Sequence, residues 1–267
     1  RLMLQEGATT RISGDGAPVF AVGGRQVSEG ARYPGILLIR RRESQWERKW
    51  IKTGATTPPT ALAMTSSLDS SISLYFERTP VDSIENGRGI YVINVPTWGE
   101  SAPSAALVRL VPPNVLTMRP RAVELPNGVV HVFWLELQDG VANSQAYLAH
   151  AWKSKSDTTW DSNTHHLTKR SINFFDVGVN ASGALFIVLT DSNGALAIVD
   201  ASQSRLNEIE IQTSVILNTF WSFDIVEFAG LSMRLTWSVP PTRDIKNSGA
   251  TGYPKSMTGL VRLACRP

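Results

Sequence analysis

A single cysteine, Cys265, stands in a chain of 267 residues, which excludes an internal disulfide and any metal site built from several cysteines. Stability must come from packing, and the thiol reads as a small apolar residue near a strand end, since a reactive thiol needs a partner base. Charge is sparse too: Asp, Glu, Lys and Arg make up 18% of the residues, with a net charge of +3. That excess mildly favours anionic ligands and falls far short of a nucleic-acid-binding stripe. Hydrophobic residues reach 42%, yet no stretch approaches the roughly 18 uninterrupted apolar residues of a membrane helix, so no membrane insertion is expected. Residues 1–7 lack the basic-then-apolar layout of a secretion signal, but a chain that opens on Arg rather than Met leaves room for a removed leader.

Chemistry-bearing motifs are equally scarce. There is no Gly-rich phosphate loop, no nucleophile elbow and no helical metal motif, so no cofactor and no metal are expected. His165 and His166 are adjacent, and neighbouring strand residues point to opposite faces, so the pair cannot chelate from one side. No segment sustains a 3.6-residue periodicity, and prolines fall in connections, as pairs at Pro58-Pro59, Pro112-Pro113 and Pro240-Pro241. With no linker or low-complexity tract either, residues 1–267 read as one domain, a size that large β folds reach.

What the sequence does contain is a repeat. β-prone apolar runs begin at Pro18, Ser71, Val129, Gly183 and Leu231, so their starts lie 53, 58, 54 and 48 residues apart. A turn signal precedes each: Gly14-Asp15-Gly16, Leu68-Asp69-Ser70, Pro126-Asn127-Gly128, Ala181-Ser182-Gly183 and Ala229-Gly230. Asp-Gly and Asn-Gly supply the positive φ that tight hairpins need. A first extended segment lies upstream of each turn, at 9–13, 60–65, 119–125, 174–180 and 220–228. Third segments follow at 35–39, 89–93, 146–149, 194–198 and 259–263, and fourth segments fit at 46–52, 105–110, 166–170 and 207–212. The fifth unit lacks a fourth strand, and residues 2–5 are apolar enough to supply it by pairing with 259–263. The expectation is an all-β propeller of about five four-stranded blades whose N-terminal strand completes the last blade, since radial repetition leaves only short sheet edges. A β-sandwich is the alternative, but it needs no quartet recurring at about 50 residues.

In a propeller the starts of first strands and the ends of second strands converge on one mouth. This register sends Arg11, Arg25, Arg78, Arg119, Glu77, Trp134, Glu136, Asp191, Trp221 and Trp237 there, with connections 23–34, 79–88 and 240–256 around it. Clustered guanidinium groups suit a carboxylate or another anion, and tryptophans can stack on sugar rings. Each arginine could equally be a solvated strand end, and Trp134 and Trp237 could be core. Asp15, Asp69, Glu77, Glu136, Asp191, Asp224 and Glu227 are available as the carboxylate pair of a glycosidase, though Asp15 and Asp69 suit the turns. Residues 40–50, with Arg48, Lys49 and two tryptophans, form the nearest approach to an aromatic-basic nucleic-acid surface; an outer hairpin with a solvated basic face explains them as well. Asn180-Ala181-Ser182 fits a glycosylation sequon.

Arg11-Ile12-Ser13, the glycine turn after it and the strand ending at Arg25 resemble the start of the sialidase superfamily, where an Arg-Ile-Pro motif precedes such a turn; here serine replaces the proline. Residues 40–46 and 153–160 resemble that family's Asp-box, Ser-x-Asp-x-Gly-x-x-Trp, in degenerate form without the aspartate and glycine at their spacing. The resemblance implies a propeller fold, Arg11 in the cluster that grips the substrate carboxylate, Arg25 as the arginine after the next strand, and a secreted or cell-surface setting. Arg78 and Arg119 match no family motif. The acid aspartate's place holds only Glu29, and Tyr253 is the one tyrosine late in the chain, so no catalytic residue is assigned. The degenerate motifs point to a non-catalytic recognition propeller for glycans or an anionic ligand. The alternatives are a sialidase-like glycoside hydrolase and a scaffold module that binds a protein partner.

Overall fold

The computed structural model describes residues 2–12, 15–28, 30–55, 57–66, 71–78, 87–95, 98, 105–138, 141, 144–162, 166–180, 182–192, 195–201, 215–216, 222–229, 232–239 and 255–262. Among these every regular element is a β-strand. The first sheet comprises β1 (Leu2–Ile12), β2 (Pro18–Ser28), β3 (Ala31–Arg42) and β4 (Gln45–Lys52); the second, β5 (Leu62–Ser66), β6 (Ile72–Arg78), β7 (Gly89–Val95) and β8 (Ala106–Leu110). The third holds β9 (Val115–Glu124), β10 (Val130–Gln138), β11 (Tyr147–Lys153) and β12 (Asp161–Ser162), and the fourth β13 (Ile172–Val179), β14 (Leu185–Asp191), β15 (Ala195–Asp200) and β16 (Val215–Ile216). A fifth contains β17 (Ser222–Ala229), β18 (Ser232–Val239) and β19 (Lys255–Arg262). Each sheet is antiparallel with its strands in sequence order, as the repeat predicts. The turn glycines behave as their sequence context demands: Gly16, Gly128 and Gly183 have φ of 79°, 79° and 84°, values open to glycine at little cost.

Four expectations need correction. Residues 2–5 do not supply a fourth strand to the last sheet: Leu2, Met3 and Leu4 pair with Gln26, Arg25 and Gly24 as the beginning of β1. The segment 23–34 is not a long loop but a continued hairpin, paired from Gly24 with Gly35 to Ser28 with Ala31. The fourth strand of the third sheet is Asp161–Ser162, against Trp152 and Ala151, since the chain doubles back as soon as the 154–157 turn is complete; 166–170 forms no such strand. Lys255 and Ser256 belong to β19, not to a loop. In the fourth sheet Val215–Ile216 is the outer strand, and 207–212 lies outside the described residues.

The chain divides into two compact units, 1–165 and 166–267. In the first, Val19, Ala21, Ile36, Leu38 and Ile51 of the first sheet pack on Leu62, Met64, Leu74, Phe76, Tyr91 and Ile93 of the second. The second sheet's other face, with Ala63, Tyr75, Ile90, Val92 and Val108, packs on Ala122, Val132, Trp134, Ala149 and Ala151 of the third. Burial on both faces explains why β7 is apolar at nearly every position, since alternation survives only where one face meets water. The first strands β1, β5 and β9 are neighbours in turn, the arrangement of successive propeller blades. In the second unit β13 likewise lies beside β17.

Candidate functional site

Each sheet has a hairpin end, where first strand turns into second, and a loop end, where second strand leaves for third. Arg25 is opposite Met3 and Pro34, on the face of the first sheet that Val19 and Ala21 present to the second. Arg78 ends β6 on the facing surface, two residues beyond Phe76. Gly23 permits the close approach between them: a Cβ there would sit 2.1 Å from the Pro59 carbonyl oxygen. The Arg78 guanidinium donates to the Gly54 carbonyl at 2.6 Å and lies over the Tyr91 ring at 5.2 Å, while Tyr91 donates to the Gly87 carbonyl. The Arg78 Nε is buried with no hydrogen-bond partner among the described residues.

Glu77 points to the other face of the second sheet, opposite Ile90. One carboxylate oxygen accepts from the Thr60 N–H at 3.1 Å, the Ala61 N–H at 3.0 Å and the Thr60 hydroxyl, fastening the approach to β5. The second oxygen, Oε2, is buried and has no hydrogen-bond partner among the described residues. Burial pushes this carboxyl above the ordinary range, and the Thr60 and Ala61 hydrogen bonds oppose that rise. Across the same interface Glu136 stands two residues from Trp134, which is 1% exposed and donates its indole N–H to Glu136 at 2.8 Å. Glu136 pairs with Thr117, so Glu77 and Glu136 border one interface at the loop end of the second and third sheets.

Arg119 sits in a bulge of β9, where pairing skips between Phe133 and Leu135. Its φ of 54° is left-handed, a conformation costly for a residue with a Cβ and concentrated at functional sites. Burial, together with the neighbouring Arg121, lowers the pKa of this guanidinium. The structure places Arg25 and Arg78 toward the loop end of the interface between the first and second sheets, and Glu77 and Glu136 toward that of the second and third; Arg119 and Trp134 lie mid-strand at the bulge, and Trp134 is a core residue of that interface. Arg11 is elsewhere. It pairs with Val19 at the hairpin end, donates to the Met64 carbonyl at 3.0 Å, and lies six residues along β2 from the position of Arg25, about 20 Å at the usual rise. In the second unit Asp191 is fully buried with Arg170 at 3.5 Å, and Trp237 pairs with Phe223 and Met257 on β18. Glu29, Asp69, His165, Trp221, Tyr253 and Cys265 lie outside the described residues.

No family model matches the chain, and no curated protein matches its sequence. Solved structures do resemble it. A protein of unknown function from Dyadobacter fermentans superposes with a TM-score of 0.67 at 12% identity, over 97% of this chain and 78% of that one. The alpha-L-arabinanase of Penicillium chrysogenum, complexed with arabinobiose, gives 0.64 at 12%, over 97% and 77%. The alpha-L-arabinofuranosidase of Fusarium graminearum, also with arabinobiose, gives 0.63 at 9%, over 97% and 77%. The likeness is one of fold, and these are propeller-type proteins. The two named enzymes are not sialidases, so the sialidase resemblance extends no further than the motifs that suggested it.

The degenerate Asp-box at 153–160 nevertheless folds as an aspartate-centred turn. Asp157 N–H donates to the Ser154 carbonyl, and its carboxylate accepts from the Ser154 N–H at 3.0 Å and hydroxyl at 2.6 Å. Those hydrogen bonds hold its pKa below the ordinary range. Trp160 then meets Tyr75 edge to face at 6.1 Å, tying the outer hairpin of the third sheet to the second. Two groups of residues escaped the sequence reading. His131 and His150, each 1% exposed, are joined at 3.0 Å within a stack that includes Phe133 and Trp152. Asp176 on β13 is 8% exposed. Alternation places His131 with Phe133 and His150 with Trp152 on one sheet face, a signal present in the sequence.

Among the described residues no cluster of three metal-ligating side chains occurs, and no helix is long and apolar enough to cross a membrane.

Proposed function

We propose that residues 1–267 form a propeller domain that recognises a glycan at the loop end of its first unit, without hydrolysing it. The observation that carries this reading is the commitment of the site's polar groups to the scaffold. Glu77 holds the Thr60 and Ala61 backbone, Arg78 the Gly54 carbonyl, and Glu136 the Trp134 indole. Groups fixed this way offer a rigid, partly desolvated surface, and preorganised polar groups suit a sugar's hydroxyls. Neighbours of the same fold solved with arabinobiose support a glycan as the ligand class. Arg25, Arg78 and Arg119 would add affinity for a carboxylate-bearing glycan. Trp237, in the second unit, remains a candidate contact; Asp191, fully buried with Arg170 beside it, suits a structural role there, and Arg11 a separate role at the hairpin end.

A glycoside hydrolase is the second reading, favoured by one observation: Glu77 has the raised pKa and unpartnered oxygen of a proton donor, with Glu136 across the interface as its counterpart. Calorimetric titration with arabinobiose and arabinan oligosaccharides, paired with a reducing-sugar assay, separates the two. Binding without turnover, weakened by Arg119→Ala and Arg78→Ala, is the expected result. Turnover abolished by Glu77→Gln would establish the hydrolase instead, and neither binding nor turnover would reject both.

A further inference from the structure

The tract 40–52 is unused by the loop-end site, yet it is not ordinary sheet surface. Trp46, Arg48, Trp50 and Lys52 alternate along β4 and therefore share one face. Arg41, paired with Trp46, joins them. Trp46 is 51% exposed and Tyr33 40%; Arg41, Arg48 and Lys52 are exposed as well. The Trp46 ring is braced by Phe20 at 5.8 Å, and Lys52 Nζ lies 4.9 Å from the Tyr33 ring centre. Glu47, the carboxylate of β4, is on the opposite face, where it accepts from Arg40 Nε and Nη2 at 3.2 and 2.7 Å. Along the paired rows of β2, β3 and β4 this face therefore carries three cations and no carboxylate.

Cations on an edge strand guard against edge-to-edge pairing, but that role requires no exposed tryptophan. We propose that this strip binds a polyuronate, a glycan chain bearing ring carboxylates, independently of the loop-end site. Trp46 would stack on the apolar face of one sugar ring, with Arg41 beside it and Arg48 about 7 Å along the strand to take the carboxylates. Arginine offers a bidentate fork for such groups. A single-stranded nucleic acid fits less well, because it needs successive stacking platforms. Here Trp50 is folded onto Gly35, where an added Cβ would sit 2.7 Å from the indole, and Trp46 is the tryptophan left exposed.

Affinity electrophoresis and calorimetry of the full chain with polygalacturonate, neutral arabinan and an oligothymidylate test the proposal. Polygalacturonate should bind, more weakly as salt rises. Trp46→Ala should weaken it about tenfold or more, consistent with the loss of a stacked ring, and the surface pair Arg41→Ser and Arg48→Ser should do so without lowering the melting temperature. The second variant keeps the test valid if Trp46→Ala disturbs Phe20. Absence of polygalacturonate binding, equal binding by all variants, tighter retention of the oligothymidylate, or a wild-type dimer that Trp46→Ala dissociates would each overturn the idea. Arabinobiose binding is scored separately, so failure of the strip is distinguishable from failure of the loop-end site.

Discussion

Acidification should weaken the third sheet through His131. Its imidazole is 1% exposed, its Nδ1 is 3.0 Å from His150 Nε2, and its own Nε2 is buried without a partner among the described residues. A proton added there would create an unsolvated charge, so burial lowers the pKa from 6.5 to about 4. The unfolded chain then takes up the proton first. Stability is complete above pH 6.5, falls as the pH drops from 6.5 to about 4, and levels off below that. At about 1.4 kcal/mol for each pH unit separating the two values, the loss reaches about 3 kcal/mol, a large share of the 5 to 15 kcal/mol typical of a folded domain. Urea unfolding followed by tryptophan fluorescence at about pH 7.5, 5.5 and 4.5 measures it. Other carboxylates titrate in this range, so the reading is the difference between wild type and His131→Gln, which keeps a hydrogen-bonding group but cannot charge. The variant should be less stable at neutral pH and lose less on acidification. Parallel pH curves for the two proteins, or an NMR titration placing His131 at 6 or above, would refute the argument.

Other consequences concern the loop end. Arg119→Gly should be more stable than Arg119→Ala by about 1 kcal/mol, because only glycine adopts the left-handed φ without strain; equal unfolding midpoints would deny the bulge geometry. Trp134→Ala should cost about 3 to 5 kcal/mol, read from the urea midpoint, since it empties the centre of the interface between the second and third sheets. Gly23→Ala should cost about 1 to 3 kcal/mol by forcing the first sheet off the Pro59 carbonyl, and unchanged melting would show that this approach is looser. Glu77 binds its proton more tightly in the fold than in the unfolded chain. Its protonated form therefore contributes stability below the unfolded value, lost as the pH rises through the folded one; Glu77→Gln should remove that part of the pH dependence.

The strand quartets were legible because period-two alternation and turn glycines are local properties. Where the reading erred, the deciding information was not local. Gly23, Gly24, Gly30 and Gly35 carry no side chain to show alternation, so a continuous hairpin looked like a loop; its extension is set by pairing with β1 and β3. Because β1 begins at Leu2 rather than near Thr9, Arg11 falls at the end of its strand and not at the start, which takes it away from Arg25. The fourth strands of the third and fourth sheets are two residues long, too short to imprint a pattern. Strand order alone sets Arg25, Arg78, Glu77 and Glu136 toward the loop ends of their strands; that they act together is proposed, and Trp134 proves to be core. The hydrogen bonds that commit Glu77 to Thr60 and Arg78 to Gly54 were not readable, since both partners lie in connections without regular structure.

Every strand in every sheet pairs with its immediate predecessor or successor, so hydrogen-bonded ladders can close soon after each stretch leaves the ribosome. The faces cannot. A nascent chain that has completed β8 would present Tyr75, Ile90 and Val92 to solvent until Val132, Trp134 and Ala151 are synthesised to cover them. Growth would thus proceed with one sticky side always showing, and stalled or truncated products should depend on chaperones or precipitate, whatever the finished protein binds.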